Sequence, residues 1–264
     1  MRKRDVQMLL AQAGLYSGGI DGLDGFQTHR AVDAALGGVG ARWSKKRRLI
    51  GAAQKILNDL GFEAGTVDGY AGHNTKEALA GWHYERVHGR REEVDRTASS
   101  HYLGKSSPLP FQRDVETFYG RPGDQIKSRL ARVELPFKLR IDYNLRQSVS
   151  RLTVHERCAQ PLENALIAVH KEYGAERMRA LGIDRYAGRY NHRKMRGGSK
   201  WSMHAYGCAV DFFAAPNGLR MKCPEALFCG ADYRAFLDIM ESHGWLPAIR
   251  LWGKDAMHFQ MARL

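Results

Sequence analysis

The stretch "SMHAYGCAVDFF", residues 202–213, puts His204 and Asp211 on either side of Gly207. Neutral imidazole and carboxylate are both good donors to zinc, and a glycine between them lets the chain turn so that the side chains converge. A catalytic zinc takes three donors from the protein and leaves a fourth position to water. The third donor is found near the C-terminus, in "DAMHFQMARL". Strand alternation there sends Met257, Phe259 and Met261 to one face and Ala256, His258 and Gln260 to the other. The apolar trio belongs in a core, so His258 faces the opposite surface and completes a His204–Asp211–His258 set. The chain contains no H-E-x-x-H, which excludes the plan in which two ligands share a helix. Ser202 braces its loop, since no serine-nucleophile constellation surrounds it, and His192 and His243 read as surface or packing residues. No site for an organic cofactor is read.

The elements that must hold these residues are mixed helix and strand from about residue 109 onward. "RLTVHERCAQPLENALIAVHKEYG" reads as a long amphipathic helix with a proline near its first turn, closed by Gly174. "CAVDFFAA" reads as a short apolar strand, and "DYRAFLDIMESHG" as a helix closed by Gly244. "IRLWGKDAMHFQMARL" reads as two strands joined by a tight Gly-Lys-Asp turn. The fold class expected is α+β for residues 109–264, preceded by an all-α module.

That module is a repeat. Residues 7–32 and 54–79 match without a gap: Gln7 with Gln54, Leu10 with Leu57, Gly14 with Gly61, Ile20-Asp21-Gly22 with Val67-Asp68-Gly69, and Thr28 with Thr75. Each copy reads as helix, glycine-rich turn, helix. Gly61 ends "AAQKILNDLGF", "VDGYAG" supplies the turn, and Thr75 is placed to cap "KEALAGW". In the first copy "GGVGARW" cuts the second helix short. The module spans residues 1–88, a polar linker 89–108, and "SSPLPF" opens the second domain.

Lys plus Arg exceed Asp plus Glu by 41 to 28, a formal charge of +13 that draws the chain to polyanions such as nucleic acid, anionic lipid or cell-wall polymer. The basic residues are scattered over both domains, not clustered with aromatics on one face, so nucleic acid is not the expected partner. No apolar run is long enough to span a bilayer. The N-terminal basic and apolar residues are interrupted by Asp5, Gln7, Gln12 and Gly14, and read as a helix, not an export signal. None of the four cysteines forms a C-x-x-C pair. Cys223 and Cys229 either close a small loop under oxidising conditions or, as the lack of a signal favours, stay free thiols.

Two resemblances follow. The doubled pattern Q-x-x-L…G…[IV]-D-G-x-x-G-x-x-T-x-x-A resembles the peptidoglycan-binding domain of bacterial and phage wall hydrolases. S-x-H-A-Y-G-x-A-x-D, followed far downstream by D-x-x-H-F, resembles the zinc peptidases related to D-alanyl-D-alanine carboxypeptidases. Those relatives include phage endolysins that cut the L-alanyl-D-glutamate bond. The second resemblance implies a small antiparallel sheet carrying the ligands, and zinc held by His204, Asp211 and His258. The run Tyr190-Asn191-His192-Arg193 matches the family's Tyr-Asn-x-Arg, which gives Arg193 contact with the substrate carbonyl as it becomes an oxyanion. Asp255, three residues before His258, stands where the family places an acidic general base, often the longer glutamate.

The expectation is a modular, monomeric peptidoglycan hydrolase, phage endolysin-like, made in the host cytoplasm without a signal peptide. It would act on the wall after membrane permeabilisation, for host lysis. The alternatives are a D-alanyl-D-alanine carboxypeptidase and an inactive wall- or polyanion-binding protein.

Overall fold

The computed structural model describes residues 1–91, 108–195 and 198–264. The chain forms two compact units, Met1–Glu93 and Val94–Leu264. Residues 92–107, most of the stretch read as a linker, lie outside the described residues.

The first unit contains α1 (Lys3–Gln12), α2 (Phe26–Leu36), α3 (Lys45–Asp59) and α4 (His73–His88). Val6, Leu9 and Leu10 in α1, and Leu49, Ala52, Ala53, Ile56 and Leu57 in α3, recur at helical spacing. One face of each helix therefore turns inward, and these residues share a core with Val32, Leu36 and Trp82. Two buried glutamines pin the Asp-Gly turns. Gln54 Nε2 donates to Asp68 Oδ1 (2.9 Å), Tyr70 O (3.0 Å) and Thr75 Oγ1 (3.0 Å), and its Oε1 accepts from the Gly69 amide (2.8 Å). Gln7 makes the equivalent bonds to Asp21, Leu23, Thr28 and Gly22. A buried amide needs several partners at once, which accounts for the matched residue types at these positions. Thr75 is accordingly not the cap expected of it. Helix α4 starts after Gly72, and Thr75 sits inside its first turn, donating to Ala64 O at 3.2 Å.

The second unit begins with the short helices α5 (Val115–Tyr119) and α6 (Asp124–Lys127). The hairpin β1 (Leu130–Ile141) and β2 (Asn144–His155) follows, then α7 (Glu156–Leu181), β3 (Arg185–Gly188) and β4 (Ala209–Phe212). The chain closes with α8 (Arg234–Ser242), β5 (Leu246–Pro247), α9 (Ala248–Leu251) and β6 (His258–Gln260). The six strands make one sheet in the order β2-β1-β3-β4-β6-β5. Helix α7 packs on β1, and Phe212, Phe236 and Phe259 meet edge-on in the core with ring centres 5.2–5.9 Å apart. The segment after Leu109 is sewn to the C-terminus. Gln112 N donates to Arg263 O (2.7 Å), Arg263 N to Pro110 O (2.8 Å), and the Tyr119 hydroxyl to Met261 O (2.7 Å).

The mixed α+β character agrees with expectation, but several details differ. The sheet is not wholly antiparallel: α7 carries the chain back across it, so β3 runs parallel to β1. Residues 151–155, read as helix, complete β2, with Leu152 and Val154 alternating inward. The helix starts where His155 Nδ1 accepts the amide of Arg157 at 3.1 Å. Gly174 (φ 68°, ψ 162°) closes the helix as expected, and a second helical stretch continues from it to Leu181. Ile249–Leu251, read as strand, form a helical turn closed by Trp252 N donating to Ala248 O at 2.9 Å, so β6 pairs with Leu246–Pro247 instead. Of the two states open to Cys223 and Cys229, the structure has the less favoured one, a disulfide with Cα atoms 5.6 Å apart; Cys158 and Cys208 are free and buried. Among the described residues no helix is long and apolar enough to cross a membrane.

Candidate metal centre

Strand β4 lies between β3 and β6, and the register sets Asp211 opposite both Gly188 and His258. His204 arrives from a single 3₁₀ turn, Met203–Tyr206. Ser202 opens that turn, its hydroxyl accepting from His204 N at 3.4 Å, and Gly207 closes it at φ 67°. A Cβ at Gly207 would lie 2.8 Å from His155 N, so both the turn and the close approach require glycine. One donor atom from each of His204, Asp211 and His258 falls within 4.8 Å of the others. His204 Nε2 is 3.2 Å from Asp211 Oδ2, and His258 Nδ1 is 3.0 Å from Asp211 Oδ1.

The outward nitrogens test whether this set suits a metal. His204 Nδ1 lies 3.0 Å from Arg189 O, a carbonyl that can only accept, so that nitrogen carries the hydrogen. His258 Nε2 lies 3.3 Å from Gln260 Oε1. The Gln260 amide is oriented by its own Nε2 donating to Ala262 O at 2.7 Å, which leaves Oε1 to accept from His258. Each neutral imidazole therefore aims a lone pair at a carboxylate that is itself acceptor-only. Lone pairs facing a carboxylate repel unless a cation lies between them, and one divalent ion satisfies all three donors. Imidazoles whose second nitrogen is held by a carbonyl or amide oxygen are the usual arrangement around zinc. The residues fit the group.

A proton on the facing imidazole nitrogen is the other positive charge that can stand between these donors, and the electrostatics of the cluster describe that protonated form. Burial alone would raise the carboxyl of Asp211, but the two imidazoles reverse that and hold it well below the usual range. Burial pushes His204 down despite Asp211. Burial also opposes a charge on His258, but there the hydrogen bond and charge of Asp211, with Asp255 adding to them, raise the value. The two histidines thus differ, with His258 the more readily charged.

Asp255 is buried, and its backbone is left-handed (φ 61°), a conformation that Asp and Asn tolerate better than other side chains. Its carbonyl accepts from His258 N at 2.9 Å, in a tight turn that leads into β6. A non-glycine residue held left-handed beside a polar cluster is a feature that concentrates at functional sites. Arg193 is half-buried in the 189–204 loop. That loop folds on itself through Ser202 N to Arg193 O (3.1 Å) and Asn191 N to His204 O (3.2 Å). The Arg193 charge reaches His204 and favours its neutral form. His192 stacks on Trp201, and His243 closes α8.

Sequence reasoning missed two participants. Gln260 was placed on the His258 face by alternation, and that was the available signal for its role. Gly188 gave none: a Cβ there would lie 2.3 Å from Asp211 Oδ2, a constraint visible only once β3 and β4 are paired.

A histidine–aspartate–histidine set carried by two adjacent strands and the 3₁₀ turn before them, with a second carboxylate and a guanidinium in electrostatic range, has the donors and charges of a mononuclear hydrolytic metal centre. Residues 196–261 match the family model described as D-alanyl-D-alanine carboxypeptidase. The matched stretch holds all three cluster residues and Asp255, and it supports zinc metallopeptidase chemistry for this part of the chain. No curated protein and no solved structure matches the chain.

Proposed function

We propose that the protein is a zinc-dependent peptidoglycan peptidase of the endolysin type, cutting a peptide bond of the wall stem or cross-link. The observation that carries this reading is the convergence of His204, Asp211 and His258, inside the stretch similar to a D-alanyl-D-alanine carboxypeptidase. Zinc held by these residues supplies Lewis acidity towards a peptide carbonyl and acidifies water near neutral pH. Arg189 O and Gln260 hold the two imidazoles in the tautomers this needs. Asp255 accepts the proton of the attacking water and delivers it to the leaving amine. Arg193 keeps its charge at any working pH and stabilises the carbonyl oxygen as it becomes negative. In this reading residues 1–88 anchor the protein to the wall and raise the local substrate concentration. The excess of 41 basic over 28 acidic residues favours the same anionic surface. The protein acts as a monomer, made in the host cytoplasm and reaching the wall once the membrane is breached.

The test is mass spectrometry of the fragments released from purified sacculi, with zinc present and with zinc chelated. Zinc-dependent products cleaved within the stem or cross-link support the proposal. Free D-alanine as the sole product makes the protein a carboxypeptidase. No zinc-dependent product at all removes the enzyme reading and leaves a wall-binding protein.

A further inference from the structure

The connection "GGVGARWSKKRR", which ends the first repeat, takes no part in the metal centre. Within the first unit Arg47 packs against two aromatic rings. Its guanidinium carbon is 4.5 Å from the centre of the Trp43 ring and 4.4 Å from that of Tyr70. Its Nε donates to Asp68 O at 2.8 Å. A guanidinium packed against two rings and bonded at Nε has little freedom left to lose on binding, and the edge that remains is its two terminal nitrogens. Among the described residues no carboxylate pairs with Arg47, whereas its neighbour Arg48 is paired with Asp33 at 2.7 Å.

The seat is built by glycines. A Cβ at Gly69 would lie 2.4 Å from Arg47 Cγ and 2.6 Å from Arg47 O. At Gly40 it would lie 2.2 Å from the Trp43 ring, and at Gly51 2.7 Å from it. Gly51 is inside α3, where glycine is less stable than alanine, so its presence calls for a packing reason and the Trp43 ring supplies one. Three glycines thus clear room for one stacked group. Arg42, Lys45 and Lys46 are exposed beside it in the chain, and Tyr70 is 59% exposed, so the stack is open to solvent.

We infer that Arg47, clamped by Trp43 and Tyr70, is a carboxylate-binding site of the N-terminal unit. A planar fork presents two parallel N–H groups, which match the two coplanar oxygens of a carboxylate. The peptide stems of peptidoglycan carry such groups. Naming that polymer rests on the wall-anchor reading above, but the carboxylate site itself does not. The ring contacts and the bond to Asp68 also fasten α3 to the turn, so the test must separate ligand binding from stability.

Two measurements on the full chain do this. In the first, glutarate and, separately, inorganic phosphate are titrated while the Nε–H resonance of Arg47 is followed by NMR. A saturable glutarate response is expected. Its absence, or tighter binding of phosphate, overturns the carboxylate assignment without any variant having to fold. In the second, wild type, Arg47→Lys and the double variant Lys45→Gln/Lys46→Gln are sedimented with purified sacculi. Arg47→Lys keeps the charge and loses the fork, so its affinity should fall about tenfold at a temperature where the variant is still fully folded. The double variant removes two charges and should lose less. Wild-type binding by folded Arg47→Lys, or an equal loss in the double variant, overturns the proposal. Failure of the wild type itself to bind sacculi removes the wall-anchor reading, and the carboxylate site is then decided by the glutarate titration.

Discussion

Replacing Gly188 by alanine should disable the metal centre without touching a ligand. Gly188 sits on β3 directly across from Asp211, and a methyl group there would lie 2.3 Å from Oδ2, 2.7 Å from Cγ and 2.9 Å from Cβ of that residue. Ordinary contact begins at 3.4 Å, so the carboxylate must retreat by about 1.1 Å, the difference between 3.4 and 2.3 Å. Zinc–oxygen distances tolerate changes of only about 0.2 Å, so Asp211 cannot keep its place in the set. Loss of a partner one step removed from the metal already lowers affinity roughly 10–100-fold, and displacement of a ligand should do at least that. The fold should survive, since overpacking of this kind costs roughly 1–3 kcal/mol and Gly188 has no positive φ to strain. The assay is competition for zinc against a chromophoric chelator, run beside circular dichroism and thermal melting. Wild-type zinc affinity in a folded Gly188→Ala protein would refute the reasoning, because Asp211 would then be either free to move or not a ligand.

Two further outcomes follow from the same geometry. Gln260→Leu leaves His258 Nε2 without its acceptor and should weaken zinc binding roughly 10–100-fold, while Gln260→Glu, which keeps an oxygen there, should weaken it less; equal affinities would contradict the orienting role. His155 accepts the Arg157 amide through Nδ1 and lies 3.0 Å from Tyr119 O through Nε2, so it is held neutral, and burial lowers its pKa. Its folded value is below the unfolded value of about 6.5, so the stability it contributes is complete above that pH and is lost as pH falls through the folded value. The melting temperature at saturating zinc should therefore drop as pH falls below about 6.5, with a shallower slope in His155→Gln; parallel slopes would assign the acid sensitivity to other groups.

Much of this was written in local patterns. The alternation of Met257, Phe259 and Met261 placed His258 and Gln260 on one face, and β6 keeps that register against Asp211. Gly207 sits where the chain must turn for His204 to approach, and it is left-handed in the structure. What escaped is what depends on partners distant in sequence. The stretch 151–155 has the composition of either a helix or a strand, and its pairing with β1 decides for strand. Thr75 looks like a cap until Gln54, a helix away, claims its hydroxyl. Gly188 acquires a role only because a neighbouring strand brings Asp211 over it, whereas Gln260 depends on a local contact, the turning of its amide by Ala262 O, that residue types do not show. The disulfide between Cys223 and Cys229 likewise follows from the path of a loop, which spacing alone left open.

The central claim is that three residues hold zinc while Asp255 moves the proton, and the direct measurement is zinc content beside turnover on a single wall preparation. Wild type, Asp255→Asn and His258→Ala are compared. Asparagine has nearly the shape of aspartate and tolerates the left-handed backbone of this position, so the fold and the metal should be retained. An amide cannot take up a proton as a carboxylate does, so hydrolysis should fall by roughly 10²–10⁴-fold. His258→Ala removes a donor and should lose zinc and activity together. The account predicts about one zinc per chain in wild type and Asp255→Asn, and little in His258→Ala. Near-wild-type turnover in Asp255→Asn, or full zinc occupancy in His258→Ala, would contradict it.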